Sequence, residues 1–593
     1  MKAAVTTHVL MQPQPDAGLG GDTATFLDRV SKRLESLSHE ASGANWKYET
    51  DVNDDNAKAA LESTLVLNEA VLEVLRELPA HTGSTEDEKR MLNLLALMGG
   101  VPTDPAEQES LASIQSKMTT IYATATVNGL KLEPDLTELL QRSRNPEKLL
   151  MGFIGWRNAT GPRTKPMFGE FVRLLNKGAR DGGFKDAADL WRAGYDMPVA
   201  DFTSMISGIW DEVLPLYEQL HCYTKHRLQS FYGDKVVPLD DGLIPGHLLG
   251  NMWSQDWSNI YDLVVPFPDV TPIEITPALV EQGYTAERMH RLSEEFYTSL
   301  GYPPLPASFW TKSMLVRPKD REVVCHASAW DFGNDDLRIK MCTAITGEEL
   351  LTVHHEQGHL YYDHFYGVQP YLYRDAAADF FHEAIGDTIQ LSVVVPEHLK
   401  KVGLIKGKIE QSKEQTINAL MAVALSKVPT LPWALLVDVW RWRVFSGEIA
   451  EADYQSSWVA LVEEFQGVKR PVPSTDADFD PAAKFHISAN VPYIRYFGAG
   501  VLQFQLYEGL CAAIGHTGPL HKCDFYRNHK AGKRFADMLS LGRSKPWQEA
   551  IRVATGGTSD TLDGRPLVRY FEPLMEWLKQ HNDGRSCSWK GRK

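Results

Sequence analysis

The sequence predicts a mainly α protein with one small sheet. Apolar residues recur at threes and fours over long stretches, strand-like alternation is scarce, and the segment richest in reactive side chains reads as a capped, uninterrupted helix. In chain order, residues 1–20 carry Pro13, Pro15, Gly18 and Gly20 and read as a loose N-terminal tail. Met1 to Leu10 has one lysine and a weak apolar run, so a signal peptide is not evident in this numbering. From Thr23 to about Thr82, Phe26, Val30, Leu34 and Leu37, then Leu65, Leu67, Val71, Val74 and Leu75, mark two or three charged helices. The pattern continues over 85–150, broken at Pro102, Pro105 and Pro146. Strand candidates are Arg321 to Ser328 and Asp336 to Met341, flanking Cys325 and Cys342. Thr346 followed by Glu349 fits a capping box, and Gly367 is a natural stop for that helix. A second helix begins near Ala376 and ends before Pro396, while Arg470 to Pro481 is a connecting loop. The expected organisation is a tail over 1–20, one domain of two interwoven lobes over 21–580, and a C-terminal tail over 581–593.

Composition narrows the class of protein. With 593 residues, 43% apolar and 23% charged, the chain has the composition of an ordinary soluble globular protein, and no run approaches the roughly 20 apolar residues of a membrane span. A net charge of −16 argues against nucleic acid, whose phosphates need clustered Lys and Arg. Nothing in it points to an obligate protein partner. Of the six cysteines, 325/342 and 511/523 are close enough to close compact loops if oxidised; six reduced thiols fit the spacing equally well.

The chemistry starts at His355-Glu356-x-x-His359. On a helix the two imidazoles lie one turn apart and can hold one zinc ion, while Glu356 can take a proton from a zinc-bound water. A solvated helix face carrying two histidines would show the same five residues, so a third ligand is needed. Glu383, on the following helix, is preferred, with Asp387 one turn on placed to bond the far nitrogen of a zinc-bound imidazole. His382, His354 and His364 remain alternatives, although the last two leave the His355/His359 face. Further on, Lys484, His486, Tyr493, Arg495 and Tyr496 concentrate cations, phenols and an imidazole. Tyr496 and His486 are suitable donors to an oxyanion, and a lysine beside a phenol can fix a substrate carboxylate.

Long segments then show a resemblance. H-L-L-G-N-M-W-S-Q-D-W-S-N-I-Y-D-L-V-V-P-F-P at 247–268, V-C-H-A-S-A-W-D-F at 324–332, H-H-E-Q-G-H, F-H-E-A-I-G-D and K-F-H-I…V-P-Y-I-R-Y-F are similar to the angiotensin-converting enzyme family of zinc peptidyl-dipeptidases. The likeness runs from N-W-K-Y-E-T at 45–50 to Y-F-E-P-L-M-E-W-L at 570–578, in one copy, as in single-domain members of invertebrate or bacterial type. It implies a large helical ellipsoid of gluzincin type, with a deep substrate channel under N-terminal lid helices and a small antiparallel sheet near the zinc. It implies zinc on His355, His359 and Glu383, Asp387 behind them, Glu356 as base, Tyr496 and His486 at the oxyanion, and His326 with Ala327 along the substrate backbone. Gln255, Lys484 and Tyr493 would grip the C-terminal carboxylate of a short peptide and place the cut two residues from its end. The family's carboxypeptidase relative has an arginine at the Gln255 position, so single-residue release is the alternative activity, and a non-catalytic peptide binder is a third.

Departures from the family pattern carry their own expectations. In the first of two chloride sites Arg157 and Trp458 match, but Val462 replaces an arginine, so the site is expected to be empty. In the second, Tyr195 and Arg495 match while Asp379 stands in place of a proline, and its carboxylate is expected to substitute for chloride, leaving activity little dependent on that ion. Cys325–Cys342 and Cys511–Cys523 match two family disulfides, with Cys222 and Cys587 left over, which implies an oxidising compartment: secreted, or periplasmic in a bacterium. Asn158-Ala159-Thr160 is a lone sequon beside an inward-facing arginine and is expected to be unused.

Overall fold

Helix caps and apolar stripes account for most of the architecture. A computed structural model describes residues 22–270, 273–407 and 412–592. The expected 1–20 tail, including Met1 to Leu10, lies outside the described residues. Helix α1 (Thr23–Thr50) starts where the Asp22 carboxylate accepts from the Thr25 N–H, and α2 (Asp54–Glu77) starts on Asn53 in the same way. Before α3 (Glu86–Ala96) a full capping box pairs Thr85 with Glu88. Phe26, Leu27, Val30 and Leu34 of α1 meet Ala70, Val74 and Leu95 in a small core separate from the main one. Polar bridges tie this layer to the body, among them Glu35–Arg374, Asp87 to the Tyr373 hydroxyl, Arg90–Asp196 and Glu49–Lys340.

The main core runs from Leu111 to Trp589. It is built on long helices: α4 (Pro146–Asp181), α5 (Val199–Tyr232), α6 (Gly347–Tyr366), α7 (Asp379–Val393), α8 (Lys413–Lys427), α9 (Thr430–Phe445) and α10 (Ile494–Ala513). The fold is mainly α, as expected. The α8–α9 stretch is by length and composition apolar enough to cross a membrane, which the sequence reading overlooked; 72% of its most apolar window is buried inside the protein, as in a core helix.

Five expectations need correction. The small antiparallel sheet exists, but β4 (Ser328–Asp331) begins where the first strand was expected to end; it pairs with β5 (Leu337–Lys340). Residues 324–327 are instead pinned outside the ladder by Cys325–Cys342 and by Lys340 Nζ, which donates to the Val324 and His326 carbonyls. Two further pairs occur among the described residues: β1 (Thr126–Val127) antiparallel to β2 (Leu130–Lys131), and β3 (Ile244–Pro245) parallel to β6 (Val468–Lys469). Helix α7 starts at Asp379, not near Ala376, because Ala378 is still extended (φ −152°, ψ 165°) and the Ala377 N–H is taken by the Tyr362 hydroxyl.

The segment after 580 is not a loose tail. Trp589 is only 5% exposed, its indole N–H donates to the Glu464 carbonyl, and the Lys590 N–H donates to Asp241. Cys587 bonds Cys222, so the two cysteines read as left over form a third disulfide, joining Cys325–Cys342 and Cys511–Cys523. A separation of 365 residues gives no local signal for that pairing.

Candidate active site

Two glycines let the two central helices touch. A Cβ on Gly386 of α7 would lie 2.5 Å from the His355 carbonyl oxygen, and one on Gly358 of α6 would lie 2.8 Å from the Gly386 Cα. Because H-E-Q-G-H and H-E-A-I-G-D each carry one of these glycines, α7 can deliver Glu383 against the histidine pair. Helix α6 begins at the expected cap, with the Thr346 hydroxyl accepting from the Glu349 N–H, but the reciprocal half of the capping box does not form; Gly367 caps its end.

At this contact His355 Nε2 and His359 Nε2 lie 3.1 Å apart, and Glu383 Oε2 is 3.6 Å from His355 Nε2. Donor atoms of the three side chains all fall within 4.8 Å of one another, the only such group found among the described residues. Asp387 Oδ1 lies 3.1 Å from His355 Nδ1, and its other oxygen accepts from Lys427 Nζ at 2.7 Å. Burial alone would raise the Asp387 pKa, but Lys427 and His355 hold it well below the usual carboxylate range. Burial works against ionised Glu383 too, yet the two histidines keep it at about 2. Two imidazoles and one carboxylate with convergent lone pairs form the donor set that zinc takes when a fourth position is left open.

The alternative ligands are otherwise engaged. His354 is buried and its Nδ1 donates to the Leu350 carbonyl, while His364 Nδ1 faces Asp335 at 2.8 Å. His382 Nδ1 sits 3.2 Å from His359 Nδ1, behind the triad and not in it. Beside the triad Glu356 is 7% exposed, and burial raises its pKa above the ordinary glutamate value, with Glu383 adding to the effect.

A second cluster assembles around Gln255. Its Oε1 accepts from Lys484 Nζ at 3.2 Å and from the Tyr493 hydroxyl at 3.0 Å. Lys484 is 6% exposed, and burial lowers its pKa to about 7. Its ammonium lies 3.8 Å from the Trp253 ring centroid, a contact the sequence did not reveal. Between the clusters His486 Nε2 faces the Tyr496 hydroxyl at 3.4 Å. Burial, and then Lys484, push His486 down to about 2, so its imidazole is neutral; burial with the nearby Glu383 charge pushes Tyr496 up to about 12, so its phenol keeps its proton. His326 and Ala327 lie on the exposed to half-buried segment before β4, which Lys340 fixes through the His326 carbonyl.

Two arginines mark the remaining positions. Asp379 bridges Arg495 (2.9 Å) and Arg543 (3.0 Å), next to the buried, stacked Tyr195. Arg543 had not been anticipated. Arg157 lies over the Phe153 ring at 3.5 Å, donates to the Phe153 and Met252 carbonyls, and faces Asp480 at 3.7 Å. Trp458 and Val462 line the cavity of about 30 Å³ beside it. Asn158 is exposed on α4, between the buried Arg157 and the half-buried Ala159.

Comparison with known proteins gives the family of the chain. The family model described as angiotensin-converting enzyme matches residues 21–589. Angiotensin-converting enzyme of Sus scrofa is 42% identical over 580 residues, covering 96% of this chain and 44% of the relative. Those of Bos taurus and Oryctolagus cuniculus are each 41% identical, over 97% and 99% of this chain and 45% and 46% of theirs. The chain thus spans about half the length of the curated relatives it matches. A match along nearly all of its length, with the zinc donor set assembled where the motif requires, means that the chain belongs to the angiotensin-converting enzyme family.

Proposed function

We propose that this chain is a zinc-dependent peptidyl-dipeptidase that removes C-terminal dipeptides from short peptides with a free carboxylate. The observation that carries the direction of the cut is the Gln255–Lys484–Tyr493 cluster, in which a short neutral amide receives both donors. An arginine there would reach further and favour single-residue release. The test is product identity from a blocked peptide, dipeptide against single amino acid. The chain is a single peptidase domain of two interwoven lobes that includes the packed residues up to 589.

His355, His359 and Glu383 would hold the zinc, which when bound supplies Lewis acidity and lowers the pKa of water at the site. Asp387 fixes the tautomer of His355 by accepting from Nδ1. Glu356 accepts a proton from the attacking water and passes it to the leaving amide nitrogen; a raised pKa suits both steps. Tyr496, as a neutral phenol, and His486, as a neutral imidazole, donate to the carbonyl oxygen as it gains charge. Lys484, Tyr493 and Gln255 orient the carboxylate, and His326 with Ala327 hold the peptide backbone. The separately cored α1–α3 layer serves as the lid of the channel. The three disulfides support a secreted or periplasmic setting.

The Asp379 carboxylate takes the role of an anion beside Arg495, and Asp480 does so beside Arg157. Activity is therefore expected to be nearly flat with added chloride, whereas Asp379→Ala slows the enzyme and chloride restores part of the rate. A steep chloride curve in the unmodified enzyme that persists unchanged in Asp379→Ala contradicts this.

A further inference from the structure

We infer that Gln466, backed by a C-terminal clasp, is a positioning residue for the carboxylate grip; this rests on the role proposed for Gln255 and Lys484. Gln466 touches no group of the grip directly. It is 1% exposed, and its Nε2 points at the Trp253 and Ser254 carbonyls, at 3.4 and 3.3 Å. Those two residues precede Gln255, and both matter to it. The Trp253 ring lies under the Lys484 ammonium, and its indole N–H donates to the Ala483 carbonyl, one residue before Lys484. Ser254 is held at a φ of 56°, the left-handed region that non-glycine residues avoid unless their surroundings impose it. Its hydroxyl donates to Gly246, and its carbonyl also accepts from the Trp257 indole. Gln466, Trp253 and Ser254 all line the cavity of about 30 Å³ next to Arg157. The loop is held from its other side as well, where Asn251 Oδ1 accepts from the Trp253 and Gln255 N–H groups and the Thr430 hydroxyl donates to the Gln255 carbonyl, so the Gln466 amide is the restraint on the side of the cavity.

Gln466 is itself fixed from the C-terminus. Its carbonyl accepts from the Tyr217 hydroxyl. The next residue, Gly467, has a φ of 60°, and its carbonyl accepts from His221 and from the Ile244 N–H. A Cβ there would meet His221 at 2.6 Å and the Trp589 ring at 2.8 Å. Trp589 packs against His221 with ring centroids 4.7 Å apart, and Cys587–Cys222 ties that segment to α5 beside His221. The chain of contacts therefore runs from the Cys222–Cys587 bond through Trp589 and Gly467 to Gln466, and from there to the backbone that presents Trp253 and Gln255.

Loss of a positioning residue should be felt in recognition of the carboxylate and not in the chemical step. The experiment compares a blocked tripeptide acid with its C-terminal amide, using Gln466→Leu, the double variant Cys222→Ser/Cys587→Ser and, as reference, Lys484→Ala. For Gln466→Leu the expected result is a roughly fivefold rise in KM for the acid, the size of one lost hydrogen bond, with kcat within about twofold and the amide unaffected. The cysteine variant should move the same way by a smaller factor; if it does not accumulate, Gln466→Leu alone decides. Equal losses on acid and amide, or a fall in kcat at constant KM, overturn the inference while leaving the grip intact if Lys484→Ala still abolishes the preference for the acid. If Lys484→Ala keeps that preference, the grip falls, and this inference with it.

Discussion

Glu356→Gln is expected to lower kcat by about a thousandfold while leaving zinc bound, because the substitution removes a proton carrier but none of the three metal donors. The carboxylate is buried beside His355 and Glu383, and in the proposed mechanism its raised pKa would let it accept a proton and give it up again within one turnover. Glutamine keeps the volume and the hydrogen-bonding reach and can do neither. Two measurements check this: kcat on a blocked tripeptide, and zinc content after gel filtration. A kcat within tenfold of the parent enzyme would take the role of base away from Glu356, and loss of zinc would make the result a statement about metal binding.

The second large effect is expected at Tyr496. Removing one preorganised donor to a developing oxyanion costs about a hundredfold to a thousandfold in kcat, and Tyr496→Phe removes only the hydroxyl. The phenol has its pKa pushed up to about 12, so it stays protonated across neutral pH and the loss should be the same at pH 6 and pH 8 in rate ratio. KM should change little, since the ground-state carbonyl gains less from the donor than the charged oxygen does. An increase in KM at constant kcat would reassign Tyr496 to substrate binding.

The residues legible without the family resemblance are those whose partners lie within one or two turns; the Gln255–Lys484–Tyr493 grip and the Asp379–Arg495 pair, far apart in the chain, come only through that resemblance. His355 and His359 are one helical turn apart, Thr346 caps its own helix, and Glu383 with Asp387 repeats the same spacing on the next. Glycines at 358 and 386 could be seen but not interpreted, because their purpose is the contact between α6 and α7. What stayed hidden depends on long-range contacts. Lys427 reaches Asp387 from another helix, Arg543 shares Asp379 with Arg495, Trp253 lies under Lys484, and Cys222 finds Cys587 across 365 residues. The misplaced strand and the misread C-terminal tail have the same origin: a disulfide and a buried tryptophan override what local propensity suggests.

The most direct test of the central claim is mass spectrometry of the digest of an N-terminally blocked hexapeptide with a free C-terminus, run with zinc and again after chelation. The account predicts an intact C-terminal dipeptide as first product, with a blocked tetrapeptide as its complement, and no turnover by the chelated enzyme until zinc is returned. Release of a single amino acid in the first step, or undiminished turnover without metal, would contradict it.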